Sequence, residues 1–306
     1  MWKTVVFLLA TLIGLPIAAY YYDAPPTSDQ WELIWTVTKT FLILATACFL
    51  ISTITKNYSQ VDKLWSIAPV IYAWQIAAGT DWEARMVLMA SVITVWGARL
   101  TFNFARRGGY SWKFWEGDED YRWAVLRAKP EFQGAWKWFL FNLFFISYYQ
   151  MALVLMITFP MIKASGVSKL TNWDWILAAL VLFWIVIEFI ADQQQFDFQT
   201  EKHRRIKAGL PLEKYAHGFT NVGLWSISRH PNYLAEQSVW VTLYFFSVVA
   251  SESWANWSAA GPVLLILLFY GSSNFSEEIT ASKYPAYKDY QRKTGRYFPK
   301  LFVRKG

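Results

Sequence analysis

Eight apolar runs recur along this 306-residue chain, at about residues 2–20, 33–54, 64–79, 85–104, 138–162, 173–191, 233–251 and 258–275. Most approach the roughly 20 residues that a helix needs to cross a bilayer core. Inside hydrocarbon a backbone N–H finds no water, so a spanning run of this kind satisfies its polar groups only by coiling. The runs predict an all-α, polytopic integral membrane protein with about eight (seven to nine) transmembrane helices, 64–79 being the shortest. Composition agrees: 55% of the residues are hydrophobic and 19% aromatic, more apolar than an ordinary soluble domain.

A net charge of +7 raises nucleic acid as a partner, so the position of the charges decides. With the N-terminus cytoplasmic, 24 of the 29 Lys and Arg fall on the inner side: Lys3, Lys56, Lys63, and the groups Arg106–Lys137, Lys202–Arg229 and Lys283–Lys305. The opposite side keeps Lys163 and Lys169, while Lys39, Arg85 and Arg99 lie at or inside spans. This is the positive-inside pattern. It places both termini in the cytoplasm and makes the basic surplus a topology signal; no recognition motif supports nucleic-acid binding. Met1–Tyr20 has the outline of a signal peptide, yet the topology works with it retained as an uncleaved first helix. Cys48, the single cysteine, lies within an apolar run, which excludes a disulfide framework and a thiolate metal site.

The chain reads as one transmembrane domain, 1–306, in which helices of residues 1–58 precede a region from 59 to 302 that carries the chemistry. Two long inner loops, about 105–137 and 192–232, concentrate charge and aromatics, so function is expected on that side. Arg99, Asn103 and Arg106 follow spacings of four and three, one helix face leading to the first loop. Glu188 and Asp192, also four apart, close the sixth run, and two such acids at depth call for a guanidinium or for one of them to hold its proton. In the stretch 223–236, Pro231 suits the first turn of a helix. Arg229, His230, Asn232, Tyr233 and Glu236 then form a polar stripe entering the membrane. A helix N-terminus beside an arginine favours a phosphate or carboxylate. Three histidines, two of them isolated, argue against a metal site. The tail, from Glu277–Glu278 through Tyr287, Tyr290 and Thr294, reads either as an amphipathic helix on the membrane face or as an element closing over Arg229.

Gly223-Leu-Trp…Ser-Arg-His-Pro-Asn-Tyr…Glu236 resembles the C-terminal domain of the steroid 5α-reductase family, particularly its bacterial branch of uncharacterised membrane proteins. Val61-Asp62-Lys63-Leu64-Trp65, Trp96-Gly97-Ala98-Arg99-Leu100 and Ala191-Asp192-Gln193 match the same branch, and Tyr287, Tyr290, Thr294 and Pro299 complete it, over about 59–302. The resemblance implies a membrane-embedded reductase in a bacterial inner membrane, its site facing the cytoplasm. Such an enzyme uses NADPH to saturate a carbon–carbon double bond conjugated to a carbonyl in a steroid- or isoprenoid-like lipid. By that resemblance Arg99, Asn103, Arg106, Asp192, Arg229, His230, Asn232, Tyr233 and Glu236 are cofactor residues. Asp62, Tyr148 and Glu188 are the catalytic candidates, with Tyr149 an alternative to Tyr148. Trp96 stands where a tyrosine of the animal steroid reductases is expected, a departure that bears on steroid specificity. Its partners are then membrane lipids and an apolar substrate. Membrane methyltransferases using S-adenosylmethionine share an Arg-His-Pro-x-Tyr turn and a Glu-Glu pair, so methyl transfer to a prenylcysteine-type or phospholipid substrate is the rival. A non-enzymatic lipid-binding protein is the third possibility.

Overall fold

The computed structural model describes residues 2–113, 116–167 and 169–300; Lys305, counted above among the inner basic residues, lies outside them. Among the described residues the chain is helical and holds no β-strand. The helices are α1 Trp2–Tyr22, α2 Ser28–Thr55, α3 Gln60–Gly79, α4 Ala84–Ala105, α5 Tyr121–Arg127 and α6 Ala135–Phe141. A π-helix, Asn142–Tyr149, leads into α7 Gln150–Met156 and α8 Phe159–Lys163. There follow α9 Asn172–Lys207, α10 Leu224–Ile227, α11 Pro231–Ser251, α12 Ala260–Lys283 and α13 Tyr287–Lys293.

Among the described residues six segments are long and apolar enough to cross a membrane: Val5–Tyr22, Ser28–Thr55, Ala84–Ala105, Ala135–Lys163, Asn172–Lys207 and Trp257–Lys283. The chain is thus an all-helical membrane protein. The two remaining runs also form helices, α3 and α11, of 20 and 21 residues, but they are not among the six. Both begin on a polar turn, with Gln60, Asp62 and Lys63 on one and Asn232, Glu236 and Gln237 on the other, which dilutes their apolar content. At about 1.5 Å per residue, α9 is roughly 54 Å long, well beyond a hydrocarbon core of about 30 Å.

The residues form two compact units, Met1–Leu182 with Trp240–Leu268, and Phe183–Val239 with Phe269–Gly306. In the first, α2 starts on a capping box, Gln30 N–H donating to Thr27 Oγ1 and Thr27 N–H to Gln30 Oε1, which satisfies two otherwise orphaned donors. Gly97 lets α4 approach α3: a Cβ there would lie 2.7 Å from the Ser66 carbonyl, so a small residue sets the close approach. The π-helix has the wide turn that often marks a structural specialisation. Its first residue, Asn142, is buried and donates to Ser52 Oγ at 3.1 Å and Thr53 Oγ1 at 3.0 Å, while accepting from Ser147. Phe141, Phe145 and Tyr149 stack along it at 5.1 and 5.2 Å.

Arg85 and Asp174 are the buried ion pair of this unit. Arg85 Nε and Nη2 reach the two Asp174 oxygens at 2.7 and 3.1 Å, and Nη1 and Nη2 also donate to the Val167 and Lys169 carbonyls. Asp174 accepts in addition from Thr171 N–H and Oγ1. Removing one partner strands the other charge, which costs about 3–5 kcal/mol. Asp174→Ala is therefore expected to lower the unfolding free energy in detergent by about that amount, whereas Lys169→Ala, an exposed side chain of which only the carbonyl is used, changes it by less than about 0.5 kcal/mol. Equal thermal or denaturant midpoints for Asp174→Ala and wild type would contradict the assignment.

Candidate functional site

In the second unit the stretch singled out by sequence is built from α9 outward. Gly223 has φ +60, and a Cβ on it would lie 2.5 Å from the Gln194 carboxamide, so both conformation and space require glycine. From there Leu224 N–H donates to Gln194 Oε1 at 2.9 Å and Trp225 Nε1 to the Ala191 carbonyl at 3.0 Å, docking α10 on α9. The chain then extends through Ser228–His230 beside the tail. Arg229 N–H donates to the Gly295 carbonyl at 2.9 Å and His230 N–H to the Arg296 carbonyl at 3.0 Å, an isolated parallel bridge centred on Ser228 and Gly295. Pro231 opens α11, where no N–H is missed.

Glu277 joins these pieces. Arg229 Nε and Nη2 donate to its two oxygens at 2.8 and 3.2 Å, His230 Nε2 lies 2.9 Å from Oε1, and Gln291 Nε2 donates to Oε2 at 2.7 Å. Arg229 Nη1 donates to the Gln291 and Thr294 carbonyls. Burial, outweighing the pull of Glu277 in the other direction, lowers the His230 pKa, and Arg229 and Arg296 add to the effect. At neutral pH the imidazole is neutral and donates from Nε2. His230 also stacks on Tyr233 at 5.2 Å and 18°. The tail is thus the element that closes over Arg229, the second of the two sequence readings. Arg229 is turned toward Glu277 and the tail carbonyls, which gives it a positioning role. Phe219 packs on Tyr290 and Tyr287 at 5.2 and 4.9 Å. Tyr290 OH donates to the Trp225 carbonyl, and burial raises both phenols above their usual range.

An acid of α9 meets the polar stripe of α11 where Asn232 Nδ2 donates to Asp192 Oδ1 at 3.2 Å. Asp192 is 3% exposed and so is not a solvated surface acid. One turn along each helix, on the same faces, stand Glu188 and Glu236, 5% and 4% exposed. Asn232 Oδ1 is buried and accepts no hydrogen bond from the described residues. A buried acceptor left so costs about 1–3 kcal/mol, so it calls for a donor such as water, an ion or a ligand.

The first unit holds the other sequence candidates. Asp62 sits in the first turn of α3, where Trp123 Nε1 donates to it at 3.4 Å. The loop that brings Trp123 is pinned by Asp120 N–H to Ser59 Oγ at 2.8 Å and Tyr58 N–H to Glu119 Oε1 at 2.8 Å. Burial, and then the neighbouring Asp120, push the Asp62 carboxyl up to about 6. Arg99 and Asn103 are buried on one face of α4, and Arg106 Nε and Nη2 both donate to Asn103 Oδ1 at 3.0 and 2.7 Å, so Arg106 and Asn103 form a linked pair. Tyr148 is half-buried and its hydroxyl pairs with Thr46 at 2.9 Å. Tyr149, the alternative, is fully buried with a hydroxyl that has no partner among the described residues, and so is Tyr72. Sequence reasoning missed Tyr72, whose only signal is a phenol within an apolar run. It also missed Gln291, because a contact made when the tail doubles back leaves no spacing to read. Trp96 is a packing residue, edge-on to Trp240 at 4.9 Å. No group of three His, Cys, Asp or Glu among the described residues is arranged to hold a metal.

Because Glu277 ties three hydrogen-bond partners, Glu277→Leu is expected to free the tail: hydrogen exchange at residues 287–297 should rise at least tenfold, with that in α2 unchanged. Glu277→Gln, which keeps an acceptor for Arg229 but not the charge, should give a smaller rise. Unchanged exchange in the leucine variant would overturn the role given to Glu277.

Similarity to known proteins follows the same residues. The family model described as protein of unknown function (DUF1295) matches residues 48–294. An uncharacterized protein of Schizosaccharomyces pombe (strain 972) is 35% identical over 301 residues, which cover 94% of this chain and 83% of that protein. No solved structure matches. With a family match that takes in α3, α4 and the whole of the Glu277 assembly up to Thr294, the chain belongs to the DUF1295 family.

Proposed function

We propose that this protein is a membrane-embedded reductase that uses NADPH, bound from the cytoplasmic side, to saturate a carbon–carbon double bond conjugated to a carbonyl in an apolar, steroid- or isoprenoid-like lipid. The observation that supports the reading is the buried row on α9 and α11, in which Asn232 is bonded to Asp192 and keeps one acceptor oxygen without a donor. A carboxamide or ribose hydroxyl of a dinucleotide is a donor of the kind that oxygen lacks, so the residues present fit the cofactor. Bound there, NADPH supplies the hydride.

The chain's own groups then have separate tasks. Asp192, Asn232 and Glu236 orient polar atoms of the cofactor, and Arg229, His230 and Glu277 hold the turn that carries Asn232. Asp62, whose carboxyl keeps its proton to about pH 6, is the acid that the reading assigns to proton delivery, a task suited to a pKa near the working pH. The positive-inside distribution supports a site facing the cytoplasm, and a bacterial plasma membrane is the proposed host.

Methyl transfer from S-adenosylmethionine is the second reading, favoured by one contact: Arg229 and His230 meet Glu277, joining the two halves of the signature that membrane methyltransferases share.

Thermal stabilisation of the detergent-purified protein separates the two readings, because a ligand at 100 times its Kd adds about 2.7 kcal/mol. NADPH is expected to raise the melting temperature by several degrees and S-adenosylmethionine not at all, and Asn232→Leu should weaken NADPH binding at least tenfold while melting cooperatively. A shift with S-adenosylmethionine alone would replace the first reading by the second, and no shift with either would remove both. In a turnover assay the rate should fall as pH rises above about 6, following deprotonation of Asp62. Asp62→Asn should be slow at every pH and lack that limb; an unchanged pH profile in Asp62→Asn would exclude it as the acid.

A further inference from the structure

A cleft of about 240 Å³ opens in the first unit between α2, α3 and the chain that follows α4. Its two ends differ in chemistry. Along α2 the wall is aliphatic, from Leu44 through Ala47 to Ile51, two turns or about 10 Å of helix. At the other end stand Gln60, Lys63, Tyr110 and Ser111.

That end is polar and holds an unmatched donor. Gln60 is 6% exposed, and its Nε2 donates to nothing among the described residues. Lys63 is buried, carries a positive charge and donates to the Glu116 carbonyl at 2.9 Å, and the Tyr110 hydroxyl donates to the Lys63 carbonyl at 3.0 Å. Among the described residues no carboxylate lines the cleft. A buried amide N–H without an acceptor is destabilising, and a buried ammonium beside it selects an acceptor that is also negative.

The geometry points to a binding site for a single-chain amphiphile with a carboxylate head, a free fatty acid in chemical class: the carboxylate accepts from Gln60 beside the Lys63 charge, and the chain lies along Leu44, Ala47 and Ile51. A neutral ester lacks the charge and an inorganic anion lacks the chain, so each satisfies half of the cleft. The site lies wholly within the first unit, draws on none of the residues assigned to cofactor binding, and does not depend on the reductase reading.

The test uses full-length protein in detergent and a fatty acid bearing a diazirine near its chain end. Irradiation is expected to place adducts on the α2 peptide containing residues 44–51. Excess oleate should reduce them at least fivefold, with little effect of methyl oleate or inorganic phosphate. Cys48 lines the same cleft and is the chain's single cysteine, so oleate should also slow its alkylation by N-ethylmaleimide at least fivefold. Gln60→Leu, which removes the unmatched donor, and Ala47→Phe, which fills the apolar wall without touching the polar end, should each cut photolabelling at least fivefold. If Gln60→Leu fails to fold, Ala47→Phe alone decides. Adducts elsewhere, labelling unchanged in the folded variants, equal competition by methyl oleate, or competition by phosphate alone would each overturn the proposal.

Discussion

A peptide group in hydrocarbon has no partner except its own chain, and the architecture of the first unit follows from that constraint. Its long segments are helices because the alternative is an unpaired N–H and C=O at each residue. Side chains obey the same rule where they are polar. Asn142, at the start of the π-helix, is matched by Ser52, Thr53 and Ser147, and Arg85 by Asp174 and two carbonyls. Since lipid offers little hydrophobic drive between helices, close approach matters instead, and Gly97 against the Ser66 carbonyl is where the chain provides it.

The second unit is organised by charge. A buried carboxylate is costly unless it is paired and hydrogen-bonded, and Glu277 meets both conditions through Arg229, His230 and Gln291. The result is positional: residues 225–230, the start of α11 and the tail after α13 are held together by a bidentate pair, a backbone bridge and the Phe219–Tyr287–Tyr290 cluster. Asn232 rides on the first turn of the helix so anchored. Its contact with Asp192 depends on an assembly whose other members need touch no ligand. Part of the Arg-His-Pro-Asn-Tyr stretch therefore serves to hold a turn.

The candidate residues therefore sort by what their atoms face. Arg229 and His230 face Glu277, and Arg106 faces Asn103. Gln60, Tyr72 and Tyr149, which are buried, and Asn232, which is half-buried, each hold a buried polar atom that the described residues do not meet. Arginines and histidines draw attention in a sequence because their chemistry is strong, but strong groups are also the ones a fold uses internally. Weaker ones, such as these amides and phenols, are left with incomplete hydrogen bonding, which is the better pointer to a ligand.

Sequence by itself determined the class of the protein, its helical architecture and the stretch 223–236, since apolar run length, the position of Lys and Arg, and a proline before a polar stripe are local properties of the chain. It placed Asp192 and Asn232 each on the correct helix face through four-residue spacing, without showing that they touch. It read about eight (seven to nine) spans; among the described residues six segments are long and apolar enough, and the runs 64–79 and 233–251 form helices whose polar first turns dilute their apolar content. Tertiary structure alone decided that the tail closes over Arg229, that Glu277 receives it, that Tyr149 and not Tyr148 is the fully buried phenol, and that Gln60 faces a cleft. Each of these joins residues far apart in the chain, and a contact of that kind is set by how helices pack, a quantity that no spacing along the sequence records.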